Sequence, residues 1–567
     1  MKARFANKFW VLAGPITLIE CLLLFFHLRN DPEPYHSGLI YAQSIAANEG
    51  LLPNRDFLSP YGITGPLLNG ALLEFTDKSL LSLLLLYGCL TVITGIVLYQ
   101  STAARLGRWN AFALNLVWAM TFVTTLPWPS LLTTLLTLLS FNLIIHSNLS
   151  TSQITVKIKI RLFLAALLMQ LSILTRIHLA VSLLLVTLVF VFRAEKSIFL
   201  AWSKFNLLIA GIIITLMIRA DVLGSYIEQV IVWPLTDFTK PPMTLGLYFS
   251  FIWFPLLSLI ALFLFSVVLA ALEIRSQHQK YALVCLILTL CALCIYGLSN
   301  VNTSAAPPTI RSWLGFTSVF KSNFQVLIGF VSSFLFVILG ARFLIMRNRK
   351  PIAPLNLREN SISKLLSLCM GMTALVQLFP LHDNVHIWFV TPLLIFAVVE
   401  LVEKHFFSSR NKVALLLVSS ILILNQFSFL AKNLQIDRIP LVSRELTGMY
   451  GTPDFAQVVD RTMLEIDKLD QSRVLRNNCT SALYSISNRN YISIDGNFLG
   501  NFFEAFTNYV PVVNPSSKKP EFIFYCNSNL REQEILKKQN YGVQFTIPTQ
   551  LTDNLGNGLF NVLYYKK

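Results

Sequence analysis

Asp31, Glu33, Glu49 and Asp56 stand within one stretch, Arg29–Leu73, of a chain whose formal net charge is +16, with His36, Arg55 and Tyr61 among them. Two carboxylates near one reacting hydroxyl permit a division of labour. One takes the proton, and the other orients the acceptor or holds a divalent cation. The imidazole, guanidinium and phenol beside them offer donors to a polar or anionic ligand. A bland alternative competes, because Asp also solvates loops and caps short helices.

Those residues depend on what flanks them. Apolar runs Trp10–His27 and Leu80–Gln100 pin the stretch at both ends. Inside it, Gly38–Asn48 has a helical spacing of apolar residues and is expected to lie along a membrane surface. The turn-rich Glu49–Gly62, EGLLPNRDFLSPYG, then brings the Asp56 end back towards Asp31 and Glu33.

Across 567 residues the chain is 54% hydrophobic and only 13% charged, with mean hydropathy +0.61. Soluble domains carry roughly 25% charged residues, so about half the expected charge is missing. A polytopic membrane protein follows, and the basic excess then reads as orientation rather than as a nucleic-acid site. Apolar runs of about 17 to 25 residues mark about thirteen spans. They fall at 10–27, 80–100, 111–126, 129–145, 162–175, 179–192, 205–218, 247–272, 281–298, 324–344, 365–380, 387–402 and 413–431. The basic start MKARFANKFW resembles a signal peptide, but the apolar run is long and no small-residue cleavage site follows, so a retained first span is expected.

Basic residues alternate with this count. Loops expected inside hold Arg105 and Arg108, then Lys157, Lys159 and Arg161, then Arg193, Lys196 and Lys204, and later Arg342, Arg347, Arg349 and Lys350. The first outer loop, residues 28–79, is instead rich in acid. The expectation is an all-α polytopic membrane protein in an inner or plasma membrane. Residues 1–432 form its membrane domain, and residues 433–567, where charge and Asn, Ser and Gly increase, form an extracytoplasmic α/β domain. There EFIFYC and FNVLYY look like strands, and PDFAQVVDRTMLEIDKLD has helical spacing.

The eight cysteines form no framework: six lie in apolar runs, and only Cys479 and Cys526 fall where an outer disulfide can form. Trp128, Trp233, Trp253, Trp313 and Trp388 near span ends read as an interfacial aromatic belt. Charges fall mainly at span edges, which speaks against a transport pathway.

The acidic loop resembles the first extracytoplasmic loop of the GT-C glycosyltransferase superfamily. The residues that carry this are Asp31-Pro-Glu33-Pro-Tyr35-His36-Ser37-Gly38, Gly50-x-x-x-x-Arg55-Asp56 and Tyr61-Gly62. The pattern covers the first hundred residues; elsewhere only span number and an outer carboxyl-terminal domain agree. Related bacterial sequences often show His-Asp-Gly where this chain has His36-Ser37-Gly38, which leaves Asp31, Glu33 or Asp56 to supply a base.

The resemblance implies a sugar donor on polyprenyl phosphate and a glycan, lipid or protein acceptor, with no nucleotide and no certain cofactor beyond a possible divalent cation. Its leaving phosphate requires cations. Arg176, His178, Arg311 and Lys321 stand at expected outer edges, and Arg grips phosphate bidentately where Lys cannot. In LHDNVHIW, His382 and His386 share a helical face beside Asp383 and suit phosphate, acceptor or metal. Asp31 is the first choice of base, with Asp56 and Glu33 next. His36, Arg55, Tyr61, Arg176, His178, Arg311, His382 and His386 are the expected substrate contacts. The competing classes are a flippase or other transporter of lipid-linked oligosaccharide, and an inactive scaffold of GT-C type.

Overall fold

The computed structural model describes residues 2–29, 31, 36–57, 59, 61–120, 127–147, 154–232, 355–377, 384–401, 434–468, 475–477, 522–528, 541–552 and 558–566. Its helices are α1 (Lys2–His27), α2 (His36–Asn48), α3 (Thr64–Leu73), α4 (Leu80–Leu106), α5 (Arg108–Met120), α6 (Pro129–Ile145) and α7 (Val156–Thr175). They continue with α8 (Ala180–Arg193), α9 (Lys196–Arg219), α10 (Leu223–Ile227), α11 (Leu355–Gln377) and α12 (Asn384–Leu401). Among the described residues, three helical stretches are long and apolar enough to cross a membrane: Leu80–Ala103, Val156–Thr175 and Lys196–Arg219. Spans expected at 247–272, 281–298, 324–344 and 413–431 lie outside the described residues.

Local chemistry sets the helix ends. Ser79 caps α4 by accepting from the Ser82 amide, and Gly107 ends it at φ 76°. Pro129 opens α6, where a missing N–H costs nothing. Thr155 caps α7 through the Ile158 amide. The helices α7 and α9 start earlier than expected, at Val156 and Lys196 rather than at 162 and 205. Their opening stretches carry Lys157, Lys159 and Arg161, and Lys196 and Lys204, which a hydropathy count excludes although a helix can run through them, because long basic side chains lift their charge away from an apolar surface.

In the bundle, α1 packs on α4 and α5, α6 on α4 and α7, and α12 on α4, α6 and α11. Small polar groups join the helices. Thr137 and Ser172 share a hydrogen bond of 2.9 Å, the Ser140 hydroxyl donates to the Ala165 carbonyl, and Gln170 donates to Asn206. Such bonds take the place of a hydrophobic drive that lipid does not supply. Trp118 of α5 and Trp388 of α12 stack at 5.1 Å, each indole N–H reaching the other's carbonyl at 3.4 Å. Trp128 and Trp388 are 5% and 2% exposed. These two therefore pack inside the bundle and do not belong to an interfacial belt; Trp233, Trp253 and Trp313 lie outside the described residues.

The helix expected along the membrane surface is α2, and other parts of the protein cover it. Leu39, Ile40, Tyr41, Ala42 and Ala46 are buried, and so are Gln43 and Ser44. It pairs with α3 so closely that a Cβ on Gly70 would stand 2.9 Å from Ala47 Cβ.

Towards the carboxyl terminus, β1 (Ile439–Pro440) pairs with β2 (Tyr450–Gly451). A helical run from Pro453 then ends in α13 (Arg461–Asp467). The strands β3 (Leu475–Asn477), β4 (Phe522–Ser528), β5 (Tyr541–Thr552) and β6 (Gly558–Lys566) form a sheet ordered β3-β4-β6-β5, with β3 parallel to β4 and the other pairs antiparallel. Leu441, Leu446, Met449, Val459, Met463 and Ile466 belong to the same core as Leu80, Leu83 and Leu84. Apolar contact is thus continuous between these residues and the start of α4.

Two ends of the bundle can be told apart. At one, Arg105 of α4 forks onto Glu400 of α12 at 2.9 Å, Ser363 of α11 approaches the same carboxylate, and Arg161 donates to the His146 carbonyl. At the other lie the amino-terminal acids.

Candidate functional site

Glycines and one asparagine shape the loop after α2. Gly50, Asn54 and Gly62 have φ of 86°, 67° and 89°, in the left-handed region. The Asp56 carboxylate accepts from the Leu52 amide at 2.8 Å, closing a tight turn, and the Arg55 guanidinium grips it in two bonds of 2.8 and 2.7 Å. Arg55 also donates to the Ala220 carbonyl at the end of α9. Those bonds hold the Asp56 carboxyl below the usual carboxylate range, the Arg55 hydrogen bonds contributing most.

A second set of bonds fastens the loop to the segment after α9. The Asn54 amide donates to Gln229 at 2.7 Å and to the Ser59 carbonyl at 2.9 Å, while Gln229 donates back to the Asn54 carbonyl at 3.0 Å. Gly62 then presses on the end of α7, where a Cβ would stand 2.0 Å from the Leu174 carbonyl oxygen. The next amide, Ile63, donates to that same oxygen at 3.0 Å.

This contact fixes Tyr61. Its ring meets Trp128 edge to face at 4.9 Å, and the Arg176 guanidinium carbon lies 5.8 Å from the ring centroid. Arg176 is 7% exposed and extended, at φ −146°, between α7 and the short turn Ile177–Leu179. His178 sits in that turn, and its Nε2 is buried with no hydrogen-bond partner among the described residues. Burial first, and the neighbouring guanidinium second, lower the imidazole to about 3. Burial raises the Tyr61 phenol to about 12, against the opposing pull of Arg176. A neutral imidazole, a neutral phenol and one guanidinium thus share the mouth of α7.

The loop thereby brings together Arg55, Asp56, Tyr61, Arg176 and His178. Asp31 belongs to a neighbouring cluster at the start of α2. Its two carboxylate oxygens accept from the Thr452 amide at 2.7 Å and the Thr452 hydroxyl at 3.0 Å. Glu33, Arg311, Lys321 and His382 lie outside the described residues, while His36 opens α2 and His386 falls in the first turn of α12. Among the described residues, no group of three or more His, Cys, Asp or Glu side chains stands where it could hold a metal ion.

Four contributors went unseen in the sequence. Asn54, Gln229 and Thr452 carry no motif, and their partners are 175 or 421 residues away in the chain. Glu20 did have a signal, an acid in the middle of the apolar run ITLIECLLLFF, and it is an exception among charges that fall mainly at span edges.

No family model matches the chain, and no curated protein matches it. Among solved structures it is similar to the oligosaccharyltransferase of Archaeoglobus fulgidus in its apo form, with TM-score 0.47 and 10% identity over 97% of this chain and 74% of that one. The archaeal oligosaccharyltransferase AglB from the same organism, in complex with an inhibitory peptide and a dolichol-phosphate, gives TM-score 0.45 and 11% identity over 98% and 74%.

Proposed function

We propose that this chain is a membrane glycosyltransferase that moves a sugar from a polyprenyl-phosphate donor to a hydroxyl-bearing acceptor at the outer membrane face. The observation that carries the proposal is Arg176, a guanidinium buried at the mouth of α7 and held over the Tyr61 ring beside Trp128. An ionisable group at a membrane edge is costly to bury and is a functional suspect for that reason. A guanidinium suits a phosphate whose prenyl chain stays in lipid, and the flanking rings offer apolar faces to a sugar.

In the proposed reaction the acceptor oxygen attacks the anomeric carbon, and the bond from that carbon to the phosphate oxygen breaks. The acceptor proton passes to the Asp31 carboxylate, with Glu33 as the alternative base, and polyprenyl phosphate leaves with its charge met by Arg176. The Thr452 hydroxyl already occupies the hydrogen-bonding position on Asp31 that an acceptor hydroxyl would take. Asp56 is assigned to shaping the loop, because the Arg55 fork and the Leu52 amide hold its carboxyl below the usual carboxylate range and make it a weaker base. The extracytoplasmic carboxyl-terminal residues would present the acceptor. The proposal is tested by donor binding to Arg176→Ala and Arg176→Lys: both should weaken it, since Lys keeps the charge but not the fork. Unchanged binding in Arg176→Ala would remove this residue from the site.

Glu20 favours a second class. A buried acid in a membrane helix is the kind of group that lines a translocation path, as expected of a lipid-linked oligosaccharide transporter. Transbilayer movement of an intact lipid-linked sugar in vesicles, with no loss of the sugar–phosphate bond, would decide for that class.

A further inference from the structure

Glu20 lies in the apolar run of α1, and its carboxyl is turned inward while Leu18, Leu22 and Phe25 on the same helix are exposed towards lipid. The residue is 5% exposed, and neither carboxyl oxygen has a hydrogen-bond partner among the described residues. The facing helix is built to receive it. Gly95 of α4 has no side chain, and a Cβ there would stand 2.1 Å from Glu20 Oε1. On α5, Asn115 donates its amide to the carbonyl of the same glycine. Asn115 Oδ1 is then left buried without a hydrogen-bond partner.

The donor and acceptor inventory of this notch is one-sided. Glu20 Oε1 and Oε2 are buried acceptors without a hydrogen-bond partner among the described residues, and the titratable groups beside them are thiols, Cys21 on α1 and Cys89 on α4, neither of which can carry a positive charge. A bare carboxylate in this position would be a buried anion with no cation to pair it among these groups, a costly arrangement in a membrane interior. A small cation removes the imbalance. We propose that the Glu20–Gly95 notch is a proton-binding site inside the membrane, with Glu20 carrying the proton at neutral pH. Protonation removes the unpaired buried charge. The site is separate from the outer cluster around Arg176 and does not depend on glycosyl transfer.

The test is infrared spectroscopy of the full-length protein in lipid nanodiscs, with glutamate side-chain carboxyls carrying an isotope label. At pH 7 the wild type should show the carbonyl stretch of one neutral carboxylic acid, distinct from carboxylate bands. Glu20→Gln should lose it, and sodium chloride in place of potassium chloride should leave it unmoved. A spectrum containing carboxylate alone, or a neutral-acid band that persists in Glu20→Gln, would overturn the proposal. Loss of the band on adding sodium would overturn it in favour of a metal-cation site. If Glu20→Gln does not fold, Gly95→Ala gives an independent result: the added Cβ evicts the carboxyl, so the band must shift or vanish, and an unmoved band contradicts the assignment.

Discussion

Tyr61 contributes a ring face and a hydroxyl to the outer cluster, and the two can be separated. A guanidinium over an aromatic face gains roughly 0.5–2 kcal/mol. Tyr61→Phe keeps the face and should leave donor affinity within about twofold, whereas Tyr61→Leu should weaken it by about 2- to 30-fold. Isothermal titration with a short-chain polyprenyl-phosphate sugar measures both. His178 has a pH consequence. Its folded value of about 3 lies below the ordinary 6.5, so the unfolded chain binds a proton that the folded chain refuses. The associated stability is complete above pH 6.5 and is lost as pH falls from there towards about 3. His178→Phe should therefore flatten that part of the acid-unfolding profile, measured by intrinsic fluorescence in nanodiscs; an unchanged profile would mean the imidazole is reached by water.

The loop and the helix ends beneath it form the unit that aims Arg176 and Tyr61. Gly62 combines a left-handed backbone with a contact that has no room for Cβ, so Gly62→Ala should cost about 1–3 kcal/mol from backbone strain alone, with a further cost from the clash at Leu174. Gln229→Ala breaks three amide bonds to the loop and should raise amide exchange across residues 52–59 while leaving α4 and α6 protected. Much of this unit was legible in the sequence. Helix α6 runs over 129–145 as expected because Pro129 marks its start, and the glycines at 50 and 62 announced turns. The residue types of the cluster were legible too, since a guanidinium and an imidazole at a span edge stand out against apolar neighbours. Their pairing was not: Tyr61 meets Arg176, and Asn54 meets Gln229, only through packing of α7 and α9 against the loop. The protein cover over α2 was not legible, because a short apolar periodicity looks alike whether it faces lipid or α3.

Across the whole molecule the two ends of the bundle differ in chemistry. One end is clasped by Arg105 and Glu400, the latter 1% exposed. Removing one partner of a buried pair typically costs about 3–5 kcal/mol, because the other charge is left alone. Arg105→Ala should therefore lower the thermal midpoint clearly more than Glu400→Gln, and equal shifts would mean the pair is solvated. The opposite end gathers the first loop, the mouths of α7 and α9, and the segment that brings Thr452 to Asp31, and it is the face to which the proposed transfer is assigned. The most direct measurement is consumption of a panel of polyprenyl-phosphate sugars by the purified full-length protein with a hydroxyl acceptor, comparing wild type, Asp31→Asn and Thr452→Val. The account expects the wild type to release polyprenyl phosphate from one donor, Asp31→Asn to be slower by about 10²- to 10⁴-fold, and Thr452→Val to remain active. Donor bound by the wild type but never consumed, or full turnover by Asp31→Asn, would contradict it.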